Sequence, residues 1–158
     1  CARWFVNSDA KSVYGLGYAY VYEGLKAVDD IDNCALLVEF KNGVMGQIET
    51  RRNCTYGYHV ETEIYGSDGC IRIGTTPYKD RVTYMNANGV TVECAEWFFE
   101  YWEPTFLAEM QDFVDCIAED RQPLVDVAAA LNMTVGGIVA HQSALKDGEL
   151  MKIPQYAI

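Results

Sequence analysis

The sequence predicts an α+β fold: an open, mostly antiparallel β-sheet with helices packed on one face. Three observations predict it. Strand-like runs fill the first two thirds of the chain and are joined by turn sequences at hairpin spacing. The last third switches to apolar residues at helical period. The length, 158 residues of which 50% are hydrophobic and 22% charged, suits one domain with a core large enough to fold without a metal or disulfide.

The strands come first. An opening strand is expected over residues 11–22, rich in Tyr and Val. Residues 34–40 form a short apolar run, and residues 44–52 alternate Val44, Gly46, Ile48 and Thr50 against Met45, Gln47, Glu49 and Arg51. Between them Asn42-Gly43 supplies the positive φ that a tight hairpin demands. Residues 58–65 alternate in the same way, and Ser67-Asp68-Gly69 turns the chain into residues 70–73. Residues 82–85 then meet residues 90–94 across Asn86-Ala87-Asn88-Gly89. Three hairpins in series predict one antiparallel sheet. Thr50, Arg51, Glu61, Thr62, Glu63 and Arg72 are expected on one face, and Leu37, Ile48, Val60, Ile64 and Val92 on a covered, apolar one. The mixed, Tyr-rich face suits contact with another subunit.

The helices follow. Phe106, Leu107, Met110, Phe113, Val114 and Ile117 keep the i, i+3/i+4, i+7 rule, starting just after Pro104, a residue suited to a first turn. Arg121-Gln122-Pro123 ends that helix. A second runs from the N-cap Asp126 through Val127, Leu131, Val135, Ile138 and Leu145, with Gly148 closing it. Gly136-Gly137 inside it costs roughly 2 kcal/mol of helix propensity against two alanines, so close approach of helix to sheet is expected there. Residues 151–153 add a short edge strand.

Composition excludes several functions. The charge sum of 12 − 23 = −11, with no polybasic cluster, argues against a nucleic-acid partner. No apolar run approaches the ~20 residues of a membrane span. The six cysteines lack any CxxC spacing and read as reduced, packed thiols, which points to the cytoplasm. Gly15-Leu16-Gly17 begins like a dinucleotide fingerprint but lacks its third glycine and sits in strand-like sequence. There is no P-loop, no GxSxG and no HExxH. Asp29-Asp30-Ile31-Asp32 reads as a solvated loop rather than a metal site. His59 and His141, the only histidines, read as structural. From the residues alone the chain has no catalytic set, no cofactor site and no metal site. The start, Cys1-Ala2-Arg3-Trp4-Phe5, reads as the tail of a helix and suggests a piece of a longer polypeptide.

The run from Tyr56-Gly57-Tyr58-His59 to Gly74 resembles a segment of the inositol dehydrogenases, in the glucose–fructose oxidoreductase/inositol dehydrogenase (Gfo/Idh/MocA) family. The stretch from Asp32 to Gly43, the Arg3-Trp4-Phe5 and Ser12-Val13-Tyr14 segments, and both helices are similar to that family's in order and spacing. The resemblance implies that residues 1–158 are a C-terminal substrate-binding and oligomerisation domain, with the N-terminal Rossmann domain and its catalytic groups absent. The implied parent is an NAD(P)-dependent oxidoreductase acting on the CH–OH group of a cyclic polyol or sugar. The chain alone is then expected to be inactive and to bind neither NAD nor NADP. Its expected partners are the polyol or sugar in the parent and further copies of itself through the open sheet face. The substrate-binding candidates implied are Tyr56 or Tyr58, two residues expected on one strand face, together with His59. A second reading makes the chain a stand-alone, non-catalytic binding or assembly module on the same sheet.

Overall fold

The computed structural model describes residues 1–74 and 78–156. In chain order its elements are α1 (Ala2–Val6), β1 (Ala10–Tyr18), a 3₁₀ helix (Glu23–Val28), β2 (Asn33–Phe40), β3 (Met45–Arg51), β4 (Thr62–Gly66), β5 (Gly69–Ile73), β6 (Tyr78–Asn86), β7 (Gly89–Cys94), α2 (Phe98–Glu119), α3 (Val127–Leu145) and β8 (Met151–Lys152). Contacts divide the chain into two units, Cys1–Asn53 with Leu124–Ile158, and Cys54–Pro123.

In the first unit β1, β2, β3 and the short β8 form an antiparallel sheet of order β3-β2-β1-β8. The β2–β3 turn is closed by the Phe40 N–H donating to the Val44 carbonyl at 2.9 Å, with Gly43 at φ 85°. One face is covered by α3, and Val13, Val38, Phe40, Val139, Ala140 and Ile153 form the buried core between them. The helix starts where its cap predicts: the Asp126 carboxylate accepts the Ala129 N–H at 2.7 Å. It ends with the Gly148 N–H on the Ser143 carbonyl at 3.0 Å.

Three expectations in this unit change. Close approach of helix to sheet does not occur at Gly136-Gly137, where an added Cβ would meet nothing within 4 Å. It occurs at Gly15 of β1, where a Cβ would stand 2.8 Å from Leu36 Cδ2 and 3.1 Å from the Ala140 carbonyl oxygen. Glycine is needed on the strand, and the helix brings Ala140, Ser143 and Ala144 to meet it. Leu37 is 58% exposed, because the alternation that buries Val38 and Phe40 turns it to the opposite face. The run is apolar at both parities except for Glu39, which shares the parity of Leu37 and marks the uncovered face.

Asp32 is the third. It is 2% exposed rather than solvated, and its carboxylate accepts the N–H groups of Tyr20, Val21 and Tyr22 at 2.7–2.9 Å and the Asn33 amide at 2.7 Å. Those donors have left the sheet ladder for a side chain, so β1 stops at Tyr18 rather than running on to Tyr22.

In the second unit both hairpins turn where the sequence places them, at Ser67-Asp68 and Ala87-Asn88. Among the described residues each is a separate two-stranded ribbon, where one continuous sheet was expected. The helix α2 begins at Phe98, so Pro104 lies inside it and not in its first turn. The early start has two visible causes. Phe98 packs edge-on against Phe99 and Phe106 at ring centroid distances of 4.8 and 5.3 Å, and the Glu100 carboxylate accepts the Glu96 N–H at 2.9 Å. The stripe of Leu107, Met110, Phe113, Val114 and Ile117 is exposed.

All six cysteines are free thiols, as expected, but only Cys116 is buried. No described helix is long and apolar enough to cross a membrane.

Candidate functional site

The three candidate residues lie in the segment between β3 and β4, which is irregular from Asn53 to Glu61 and not a strand. Gly57 shapes it. At φ 127° it holds a conformation L side chains avoid, and a Cβ there would stand 2.6 Å from the Ala95 carbonyl oxygen and 2.8 Å from Cys94 Cβ. The bare backbone lets the chain press on the end of β7, where the Tyr58 N–H donates to the Ala95 carbonyl at 2.7 Å.

The twist at Gly57 separates the tyrosines. Tyr58 is half-buried and packs against Tyr101 and Phe98 of α2, at centroid distances of 5.7 and 6.1 Å. Tyr56 is 58% exposed, and its hydroxyl lies 2.8 Å from His59 Nδ1. The two tyrosines have different neighbours: the Tyr56 hydroxyl meets His59, while Tyr58 contributes to an aromatic cluster. The Tyr101 hydroxyl donates to the Val60 carbonyl at 3.2 Å and fixes the far end of the segment.

Behind His59 runs a charged chain that sequence reading missed. His59 Nε2 is 3.5 Å from Glu61 Oε2, and Glu61 Oε1 is 3.3 Å from Arg72 Nε. Arg72 Nη2 also pairs with Glu63, which stands directly opposite Arg72 in the β4–β5 ladder. Glu63 in turn accepts the Tyr65 hydroxyl at 2.7 Å. That hydroxyl and the Arg72 guanidinium hold the Glu63 carboxyl below its usual range, and Glu63 pushes the Tyr65 phenol up. The available sequence signal was the Glu-x-Glu spacing of residues 61 and 63 across a turn from Arg72.

His141 lies on α3, with Nε2 3.5 Å from Asp30 Oδ1. Among the described residues no three His, Cys, Asp or Glu side chains gather as metal ligands. A dinucleotide pyrophosphate needs a glycine-rich turn from a strand into a helix. Here Gly15-Leu16-Gly17 lies within β1, Gly15 is covered by α3, and every described strand pair is antiparallel. The described residues do not fit such a group. A shallow groove of about 510 Å³ opens on the first unit, lined in part by Leu16, Tyr20, Asn33, Cys34 and Arg51; none of Tyr56, Tyr58 and His59 lines it.

The sequence pattern of the GFO/IDH/MocA C-terminal domain matches residues 1–72. A scyllo-inositol 2-dehydrogenase (NAD(+)) of Bacillus subtilis is 28% identical over 148 residues, covering 93% of this chain and 42% of that protein. A myo-inositol 2-dehydrogenase of Thermotoga maritima is 26% identical over 125 residues, 78% of this chain and 37% of that protein. The crystal structure of scyllo-inositol dehydrogenase from Lactobacillus casei, with bound cofactor NAD(H) and scyllo-inositol, superposes with a TM-score of 0.88 at 28% identity, covering 96% of this chain and 44% of that one. The chain spans less than half the length of the curated relatives it matches.

Proposed function

Because this chain belongs to the GFO/IDH/MocA family as a C-terminal domain of the inositol-dehydrogenase-like kind, we propose that it is the substrate-side half of an oxidoreductase. In this reading the whole protein oxidises a CH–OH group of a cyclic polyol or sugar in the cytoplasm and passes the hydride to NAD or NADP held on a separate dinucleotide-binding domain. The observation that carries the reading is the match to a scyllo-inositol 2-dehydrogenase along 93% of the chain.

The residues of this chain supply recognition. Tyr56, an exposed residue whose hydroxyl is held by His59, meets a ring hydroxyl of the substrate. Tyr58, packed against Phe98 and Tyr101, supplies an apolar wall for the C–H face of a cyclitol ring. Aromatic walls with a few placed polar groups suit a ligand whose faces are apolar and whose rim is all hydroxyl. The second role is self-association through the open sheet face, where Leu16, Tyr18, Leu37 and Met45 are exposed.

The test compares the 158-residue chain with the longest reading frame that contains it. NADH formation at 340 nm is followed with scyllo-inositol, myo-inositol and a panel of sugars. The longer protein is expected to reduce NAD or NADP with at least one cyclic polyol or sugar, and the chain alone to give neither turnover nor saturable cofactor binding. Turnover by the chain alone, or a longer protein inert toward every cyclic polyol and sugar, overturns the reading. A stand-alone reading frame of this length with no redox activity supports the assembly-module alternative instead.

A further inference from the structure

The inference concerns which way the Tyr56 hydroxyl points its proton, and it rests on the proposal that Tyr56 meets the substrate. A neutral imidazole has one N–H and one lone pair. His59 has a different partner on each nitrogen: the Tyr56 hydroxyl 2.8 Å from Nδ1, and the Glu61 carboxylate 3.5 Å from Nε2. Nε2 is buried, and no hydrogen bond shorter than that contact reaches it among the described residues. A carboxylate only accepts, so the imidazole proton belongs on Nε2, facing Glu61, and Nδ1 carries the lone pair. The proton between His59 and Tyr56 is then the phenol's own. Arg72 Nε holds Glu61 by its other oxygen at 3.3 Å and keeps the carboxylate in place.

We propose that His59 is a positioning residue: through Nδ1 it draws the Tyr56 proton inward, so that Tyr56 meets the substrate as a hydrogen-bond acceptor and selects a ring position that donates. A free hydroxyl satisfies it. A ketone or an ether at the same position leaves two oxygen acceptors face to face, which is the costly mismatch of an unpaired polar contact. Specificity for the alcohol over the ketone at that position is thus written in a histidine that does not itself touch the substrate.

Two measurements test it. The first uses the 158-residue chain at pH 8 or above, where an ordinary imidazole is neutral. With only two histidines in the chain, ¹⁵N correlation spectra assign both rings directly. His59 is expected as the Nε2–H form, and Glu61→Gln is expected to convert it to Nδ1–H. In that variant the amide oxygen stays with Arg72 and the amide NH₂ turns to Nε2 as a donor. A His59 ring in the Nδ1–H form in the unaltered chain overturns the proposal.

The second uses the full-length protein with NAD and whichever of scyllo- or myo-inositol it oxidises. Tyr56→Phe is expected to raise KM about three- to tenfold, the worth of one neutral hydrogen bond, with kcat within about twofold. A ring hydroxyl both donates and accepts, so the readout for His59 is the ketone: His59→Leu and Glu61→Gln, which let Tyr56 turn its proton outward, are each expected to raise the ratio of KM for the inositol to Ki for its ketone analogues about three- to tenfold. His59→Asn, whose side-chain oxygen stands near the former Nδ1, is expected to return that ratio to the unaltered value. If Tyr56→Phe raises KM and both His59→Leu and Glu61→Gln leave the ratio unchanged for every ketone isomer, the positioning role falls and the Tyr56 contact stands. If Tyr56→Phe changes nothing, the substrate contact itself falls, and the positioning role with it.

Discussion

Ser143 and Gly15, 128 residues apart in sequence, are joined by a 2.9 Å hydrogen bond in which the strand N–H donates to the helix hydroxyl. The bond exists because β8 is short. It pairs with β1 only at Ser12 and Val13, so two residues further on the edge of β1 has no neighbouring strand to receive its N–H. Ser143 fills that gap, and its own proton goes to the Glu149 carbonyl at 2.6 Å, fastening the segment that leads into β8. The hydroxyl is fully buried and Gly15 is buried with it, so the strand N–H cannot turn to water when the hydroxyl is removed.

Ser143→Ala is therefore expected to cost about 1–3 kcal/mol, the worth of one buried N–H left without a partner. Gly15→Ala fails by a different route. Its Cβ meets the Ala140 carbonyl oxygen at 3.1 Å and must push α3 off the sheet, at roughly 1–3 kcal/mol. Urea unfolding followed by circular dichroism checks both. A Ser143→Ala variant as stable as the parent removes the hydroxyl from the account of how α3 is held.

Asp32 makes the fold sensitive to acid. Burial alone would raise its carboxyl, but the N–H donations of Tyr22 and Tyr20, the Asn33 amide and the Val21 N–H outweigh burial and hold it well below the ordinary carboxylate range. The folded value lies under the unfolded one, so the stabilisation is complete above the unfolded value near ~4. It falls as the pH drops, because the unfolded chain takes up the proton first, and it is gone once the folded group protonates. Asp32→Asn is expected to be less stable than the parent at neutral pH, since the amide has one acceptor oxygen and turns a donor toward donors. The gap between the two urea midpoints should narrow below about pH 4. A gap independent of pH shows that the loop is held by something other than the ionised carboxylate.

What was legible in the sequence follows how local the physics is. Turns and caps depend on neighbouring residues, and the hairpins at Gly43, Gly69 and Gly89 and the Asp126 cap are all in place. Facing and partnership depend on residues far away. Leu37 was assigned to the covered face because its run is apolar at both parities, although Glu39 shares its parity, and Pro104 could not announce that Phe98 and Phe106 would pull six residues before it into the helix. At the candidate site Tyr56, Tyr58 and His59 were singled out through a family resemblance. The different neighbours of the two tyrosines were not legible, because they depend on the positive φ at Gly57. The charged chain through Glu61 and Arg72 appears only once β4 and β5 are in register.

Gly136 and Gly137 are the clearest mismatch between sequence cost and structural use. Both lie inside α3, where glycine is the worst residue short of proline, and neither meets an atom within 4 Å of an added Cβ. Alanine at either position is expected to stabilise the chain by about 0.5–1 kcal/mol, read as a higher urea midpoint. A loss of stability instead shows that the helix backbone there is approached closely by something in solution.

The open face of the four-stranded sheet carries the last prediction. Register places Leu16 beside Ala35 and Tyr14 beside Leu37, on the side away from α3. Leu16, Tyr18, Leu37 and Met45 are 49–84% exposed. A β-sheet face with apolar residues on three adjacent strands is a patch that water penalises and a second copy relieves. Charged residues at its margin, Glu49 and Arg51, pair with each other at 2.6 Å. Sedimentation velocity over a concentration series is expected to show self-association of the chain. Leu37→Glu, at an exposed position with no buried packing to lose, is expected to shift it to monomer without lowering the urea midpoint. A chain that stays monomeric at the highest concentration, or a Leu37→Glu variant that associates as well as the parent, assigns the interface elsewhere.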